Sequence, residues 1–203
     1  MLIARPWKGF QRVFSYFLQL LALFYFSSIH WPPPKPSSNR PVLILCNHQS
    51  WWDGILLFIL HQKIWKAPFF AMMLFDELKK RKFLTFLGAF SIRKNHRYMF
   101  ESISYASKLL RANNHVVVFP QGRLESPYQN HLSLGKGIQK LIDLAPRETE
   151  IWAISIHYSP TAGVRNQCHI YAQPLAFKNP AQIAQEWNQF HSNCVETQRL
   201  KWY

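Results

Sequence analysis

The sequence is poor in cysteine, in acidic residues and in long apolar runs. Its three cysteines, Cys46, Cys168 and Cys194, are odd in number, far apart and free of C-x-x-C spacing. Neither a disulfide framework nor a cysteine zinc site is indicated, and a reducing compartment fits best. None of the nine histidines sits in an H-E-x-x-H or comparable pairing, so no metal is expected. Asp and Glu number only 10 against 24 Lys and Arg, a formal charge of +14, which points to an anionic partner. No run reaches the roughly 20 apolar residues of a transmembrane helix. There is no internal repeat, and the one biased tract is a short proline linker.

What is present is enough for a single folded domain. The chain has 203 residues, 48% hydrophobic and 16% aromatic, which excludes a disordered basic tail. Strong basicity combined with abundant aromatics leaves two classes of surface in view, nucleic-acid phosphate and anionic lipid. Residues 1–31 stand apart. Arg5, Lys8 and Arg12 precede an apolar, aromatic-rich run from Val13 to Ile29, after which Pro32-Pro33-Pro34-Lys35-Pro36 ends any helix. A small-residue cleavage site is missing, so the run reads as a helix lying on or dipping into a membrane. Residues 32–41 are then a Pro-rich linker and 42–203 the main domain.

Beyond the linker, strand-like runs (Val42–Cys46, Pro68–Met73, Ala89–Ile92, His115–Phe119, Ile151–Ile156, Cys168–Ala172) alternate with helical stretches (Gly54–His61, His96–Arg111, Leu134–Leu144, Ala181–Gln198). The predicted fold is α/β, a mixed, largely parallel sheet covered by helices, with the N-terminal membrane-associating helical segment added to it.

Three polar turns follow predicted strands, and in such sheets the ligand crevice lies outside the carboxyl ends of the strands. The first is Asn47-His48-Gln49-Ser50-Trp51-Trp52-Asp53. An H-x4-D spacing aligns the two side chains on neither a regular helix nor a straight strand, so only a turn brings them together. With Asp53 in the first turn of the next helix, its carboxylate can accept from one imidazole nitrogen of His48 and leave the other to take a proton. The second turn ends Gly88-Ala89-Phe90-Ser91-Ile92-Arg93-Lys94 and presents two cations. The third, Phe119-Pro120-Gln121-Gly122-Arg123, brings a further one.

Together the three turns resemble the glycerolipid (lysophospholipid) acyltransferases, which include the 1-acylglycerol-3-phosphate acyltransferases. Asn47-His48-x-Ser50-x-x-Asp53 is similar to that family's N-H-x-S-x-x-D block, Gly88 to Lys94 to its G-x-x-F-x-x-R block, and Phe119 to Arg123 to its F-P-E-G-T-R block. The resemblance spans roughly residues 40 to 160. Lys94 stands where the family has Arg, Gln121 where it has Glu, Arg123-Leu124 where it has Thr-Arg, and Ala153 to Ile156 lacks the fourth block's proline.

The resemblance implies transfer of a fatty acyl group from a coenzyme A or acyl carrier protein thioester to a lysolipid hydroxyl, with no cofactor and no metal. His48 would be the general base and Asp53 its orienter. Arg93, Lys94, Gln121, Gly122 and Arg123 would hold the acceptor, with Asn47, Ser50, Gly88 and Pro120 in support. The departures fall where the family holds glycerol phosphate, which leaves the acceptor open between lysophosphatidic acid and another lysolipid. The basic run Lys79-Lys80-Arg81-Lys82 beside Phe83-Leu84-Thr85-Phe86-Leu87 would sit on lipid, and the enzyme would work membrane-associated on the cytoplasmic face. A nucleic-acid-binding module remains the alternative of another class. It accounts for the charge but not for residues 13–29, and no nucleic-acid motif is present.

Overall fold

The computed structural model describes residues 1–32, 35–37, 39–93, 96–126, 134–160, 164–176 and 179–200. Pro33 and Pro34 of the linker and Lys94 of the second turn lie outside them. Among the described residues seven strands make one sheet, in the spatial order β1 (Phe26–His30), β7 (Asn166–Leu175), β6 (Glu150–Ser159), β2 (Val42–Cys46), β5 (His115–Val118), β3 (Phe69–Leu74), β4 (Ala89–Ile92). The five from β6 to β4 are parallel, β7 runs antiparallel to β6, and β1 lies parallel to β7. This is the mixed, largely parallel α/β architecture expected from the alternation of runs.

A parallel strand with helices on both faces has no polar side to show, which is why β2 reads as five consecutive apolar residues. All five are buried, and they divide by alternation: Leu43 and Leu45 join one core cluster, Val42, Ile44 and Cys46 the other. The first cluster is closed by α4 (His96–Arg111), α5 (Lys136–Leu144) and α6 (Pro180–Leu200) through Ile103, Leu110, Leu141 and Trp187. The second is closed by α1 (Lys8–Tyr25) and α2 (Trp52–Ile59) through Leu18, Ala22, Leu56 and Leu57. Burying each such side chain stabilises by about 1.5–3 kcal/mol. Gly88, between a 3-10 segment (Lys82–Leu87) and β4, has φ +109°, and a Cβ there would lie 2.0 Å from the Phe69 carbonyl oxygen. Only glycine lets β4 approach β3 so closely.

The amino-terminal run departs from the single helix expected over Val13–Ile29. The helix ends at Tyr25, and Phe26–His30 turns into an edge strand paired with β7, with Phe26 inside the core. Ahead of α1 the chain is strapped to the sheet edge: Leu2 and Ser91 exchange hydrogen bonds, and the N–H groups of Arg5 and Trp7 donate to the carbonyls of Thr85 and Phe86.

The helix itself is inverted. Its buried residues are Gln11, Ser15, Leu18 and Ala22, while Val13, Tyr16, Phe17, Leu20, Leu23, Phe24 and the last residue, Tyr25, are exposed, Val13 and Phe24 at 71%. At about 100° per residue the buried four fall within roughly 60° of arc and the six exposed residues before Tyr25 centre about 180° away. A helix of a water-solvated domain turns its apolar stripe inward; α1 turns it outward. No helix among the described residues is long and apolar enough to cross a membrane.

Candidate active site

The site lies at the carboxyl ends of β2, β5 and β6, and its centre is the turn between β2 and α2. Asp53 is the second residue of α2 and is fully buried. Its Oδ2 accepts from the backbone N–H groups of Gln49 (2.7 Å) and Ser50 (2.8 Å) and lies 2.9 Å from His48 Nδ1. A carboxylate can only accept here, so the proton is on Nδ1 and the His48 Nε2 lone pair is left as the basic site. The imidazole, 24% exposed, stacks on Phe119 at 4.2 Å between ring centroids, with 26° between planes. The turn thus joins the imidazole to the carboxylate across five positions.

Supporting residues lock the turn from both sides. Asn47 accepts from the Ile156 N–H at 2.8 Å and donates to the Ile156 carbonyl at 2.9 Å, tying the end of β2 to β6. Ser50 Oγ accepts from the N–H of Trp52, the first residue of α2, at 3.2 Å. Gln121 uses both ends of its amide: Oε1 accepts from the His48 N–H at 2.6 Å and Nε2 donates to Glu125 at 2.9 Å. Gly122, at φ +62°, carries the chain back so that the Glu125 N–H reaches the His48 carbonyl at 2.8 Å. Pro120 is buried beneath this turn. The N–H groups of His48, Gln49, Ser50, Trp52 and Asp53 all bond within the site, so these five are not available to a developing oxyanion.

The cations are held differently from one another. Arg93, at the end of β4, lies over the faces of Phe75, the first residue of the short helix α3 (Phe75–Lys80), at 3.7 Å, and of Tyr98 at 5.0 Å. A guanidinium over an aromatic face is attracted to it, and its N–H donors lie in its own plane. Arg123 instead donates through Nε to Glu125 at 3.1 Å.

Two residues of the site carry no motif. Glu125 holds Gln121 and Arg123. Tyr158, near the end of β6, donates its hydroxyl to Asp53 Oδ1 at 2.5 Å. Only the pairing of β6 with β2 could have pointed to Tyr158, and that register is not written in local sequence.

Other reactive groups are shut away. Burial pushes the thiols of Cys46, Cys168 and Cys194 up, Cys194 to about 12, which removes them as nucleophiles. Burial likewise lowers His61 and His157 to about 3 and His115 to about 4, keeping them neutral in the core. Among the described residues no three His, Cys, Asp or Glu side chains group as metal ligands. A depression lined by Arg40, Glu148, Glu150 and Pro174 lies at the opposite pole, by the first residues of β2 and β6.

A buried carboxylate fixes a partly accessible imidazole at a strand end of an α/β sheet, an arrangement that can serve proton transfer. The chain belongs to the Acyltransferase family, whose model matches residues 30–174, well over half of its length. Its fold is similar to that of the 1-acyl-sn-glycerophosphate (LPA) acyltransferase PlsC from Thermotoga maritima, with a TM-score of 0.62 and 18% identity over 92% of this chain and 79% of that one. The ATPase DotB from Legionella pneumophila overlaps 81% of this chain and 58% of its own at 9% identity and a TM-score of 0.38, a level that supports no structural argument. Among curated proteins none is significantly similar in sequence.

Proposed function

We propose that the protein is a membrane-surface O-acyltransferase that moves a fatty acyl group from an acyl-CoA or acyl carrier protein thioester to a lysolipid hydroxyl, lysophosphatidic acid in first place. The observation that carries this is the His48 Nδ1 to Asp53 Oδ2 contact of 2.9 Å, which leaves Nε2 to act as base. His48 Nε2 takes the acceptor hydroxyl proton as the oxygen attacks the thioester carbonyl carbon. The tetrahedral intermediate collapses with cleavage of the C–S bond, and the departing thiolate takes the proton back from the imidazolium. Asp53 stabilises that imidazolium between the two steps. The net products are an ester and a free thiol, and no acyl-enzyme is required.

The outward apolar face of α1 supports lipid attachment. Its aromatic rings continue into Phe86, 5.9 Å from Phe10, and Phe83, 5.8 Å from Phe14, which follow directly on the basic run Lys79 to Lys82. In that run Lys80 and Arg81 are also bonded to Glu77, at 3.0 and 2.7 Å, which spends part of their charge locally. Apolar anchors beside cations suit an anionic leaflet, where a Lys or Arg near the surface contributes about 1 kcal/mol. Nothing comparable favours a nucleic acid.

The test is to incubate the purified protein with a panel of lysolipids and acyl thioesters and to identify products by mass spectrometry. At least one diacyl product should form, and His48→Ala should cut turnover by about 10² to 10⁴ with the fold intact. Near wild-type transfer by folded His48→Ala would overturn the mechanism.

A further inference from the structure

Three of the donors around Asp53 converge on one oxygen. Oδ2 takes His48 Nδ1 and the N–H groups of Gln49 and Ser50. Anchoring one oxygen leaves the carboxylate plane free to swing, because the terminal torsion of Asp is broad. The second anchor is the Tyr158 hydroxyl on Oδ1. Burial first, and the charge of Asp53 after it, push the phenol well above its ordinary pKa, so it stays a donor at every working pH.

Tyr158 is itself placed by two elements far apart in sequence. Its backbone sits in the β6–β7 ladder opposite Cys168, two residues beyond the Asn47–Ile156 clasp. Its ring stacks on Phe26 at 5.8 Å, with 18° between planes. Phe26 is 4% exposed and meets Trp52, the neighbour of Asp53, edge-on at 5.1 Å. The strand that continues from α1 therefore touches both the phenol and the residue beside the carboxylate.

We propose that Tyr158 is a positioning residue for the His48–Asp53 pair, fixing the plane of the Asp53 carboxylate through Oδ1, and that Phe26 holds Tyr158 in place; this rests on the base role proposed for His48. The phenol also draws charge from the carboxylate. Its loss leaves a more basic Asp53 and an imidazolium that holds its proton more tightly. Since His48 must be neutral to act, a higher His48 pKa moves the acid limb of the pH–rate profile to higher pH.

The experiment compares full-length wild type, Tyr158→Phe, Phe26→Ala and a protein carrying 3,5-difluorotyrosine at position 158, on the thioester and lysolipid pair found active, with melting curves for each. Tyr158→Phe should lower kcat about tenfold or more, leave the acceptor KM within about twofold, and shift the acid limb upward. Phe26→Ala should do the same to a smaller degree. Difluorotyrosine, a stronger donor of nearly the same shape, should keep most of the rate and shift the limb downward. A folded Tyr158→Phe with an unmoved acid limb overturns the proposal, whether or not rate is lost, because a purely structural residue would not shift the limb. If Tyr158→Phe does not fold, the difluorotyrosine protein decides alone, and an unmoved limb there overturns it equally. His48→Ala in parallel separates the two readings: inactive His48→Ala beside an unchanged Tyr158→Phe removes only the role of Tyr158, whereas active His48→Ala removes the base itself.

Discussion

In the turn after β2, five backbone N–H groups and a buried carboxylate are committed to fixed acceptors and donors, and one imidazole nitrogen is left to act. Along α1, seven large apolar or aromatic side chains are exposed over 18 residues of helix, with no polar atom among them except the Tyr16 and Tyr25 hydroxyls. The first region gains its properties from direction, since a hydrogen bond weakens steeply once its geometry fails. The second gains them from area, since apolar burial is non-directional and adds roughly in proportion to surface. Substitutions should follow that distinction: one atom decides in the turn, whereas several side chains must change on the helix.

The largest effect is expected where direction rules. Asp53→Asn keeps an acceptor for the Gln49 and Ser50 N–H groups, so the turn should still form, but it supplies no negative charge to an imidazolium and permits the wrong His48 tautomer. Turnover should fall by about 10² to 10⁴ with melting temperature nearly unchanged. Asp53→Ala should lose stability as well, because it strands buried donors at about 1–3 kcal/mol each. If Asp53→Asn kept more than a tenth of wild-type turnover, the turn would be a structural cap and the comparison would fail on its first side.

The next effect belongs to area. Leu20→Glu combined with Phe24→Glu removes two anchors, each worth about 1.5–3 kcal/mol on burial, and sets charges on the lipid-facing side. Partition onto vesicles of anionic lipid should drop by about tenfold or more in sedimentation assays. Either substitution alone should do less, and activity on dispersed short-chain substrates should fall less than activity on vesicles. Equal vesicle binding by the double variant would show that the outward face meets something other than lipid.

How far these regions were legible in sequence follows the same division. The β2 run, the β4 run and the His96–Arg111 helix were legible, because short apolar-rich runs bounded by polar or glycine residues suit strands and a sustained 3.6-residue period suits a helix. The H-x4-D spacing disclosed the dyad because only a turn can join its ends. What stayed hidden depends on partners distant in the chain. Phe26-Ser27-Ser28-Ile29-His30 carries on the apolar character of the helix, and only pairing with β7, about 140 residues away, makes it a strand. A truncation after residue 31 would thus remove an edge strand and the ring under Tyr158 along with the lipid-facing helix, so point substitutions are the cleaner probe. Tyr158 was invisible for the same reason, being defined by what the register brings to it, whereas Glu125 holds near neighbours, Gln121 and Arg123, and simply belongs to no motif.

The smallest effect is expected at Arg123, and it separates two guanidiniums that the sequence treated alike. Arg123 is 75% exposed and shares Glu125 with Gln121. An exposed pair of this kind contributes about 0–1 kcal/mol, and a phosphate approaching Arg123 meets the like charge of Glu125. Arg93 lies over the rings of Phe75 and Tyr98, which take none of its N–H donors as a carboxylate would. If the acceptor carries a phosphate monoester, Arg93→Ala should raise its KM about tenfold, in keeping with about 1.5–3 kcal/mol for a charge-assisted contact. Arg123→Ala should raise it about threefold or less, and Glu125→Gln, which relieves the like charge, should lower it. The deciding measurement is catalytic efficiency on lysophosphatidic acid, on lysophospholipids with larger head groups and on phosphate-free hydroxylated lipids for each variant. Equal losses at Arg93 and Arg123 would mean that Glu125 yields its partner to the ligand. A preference for phosphate-free acceptors that neither arginine alters would remove the phosphate clamp and leave His48 and its carboxylate as they are.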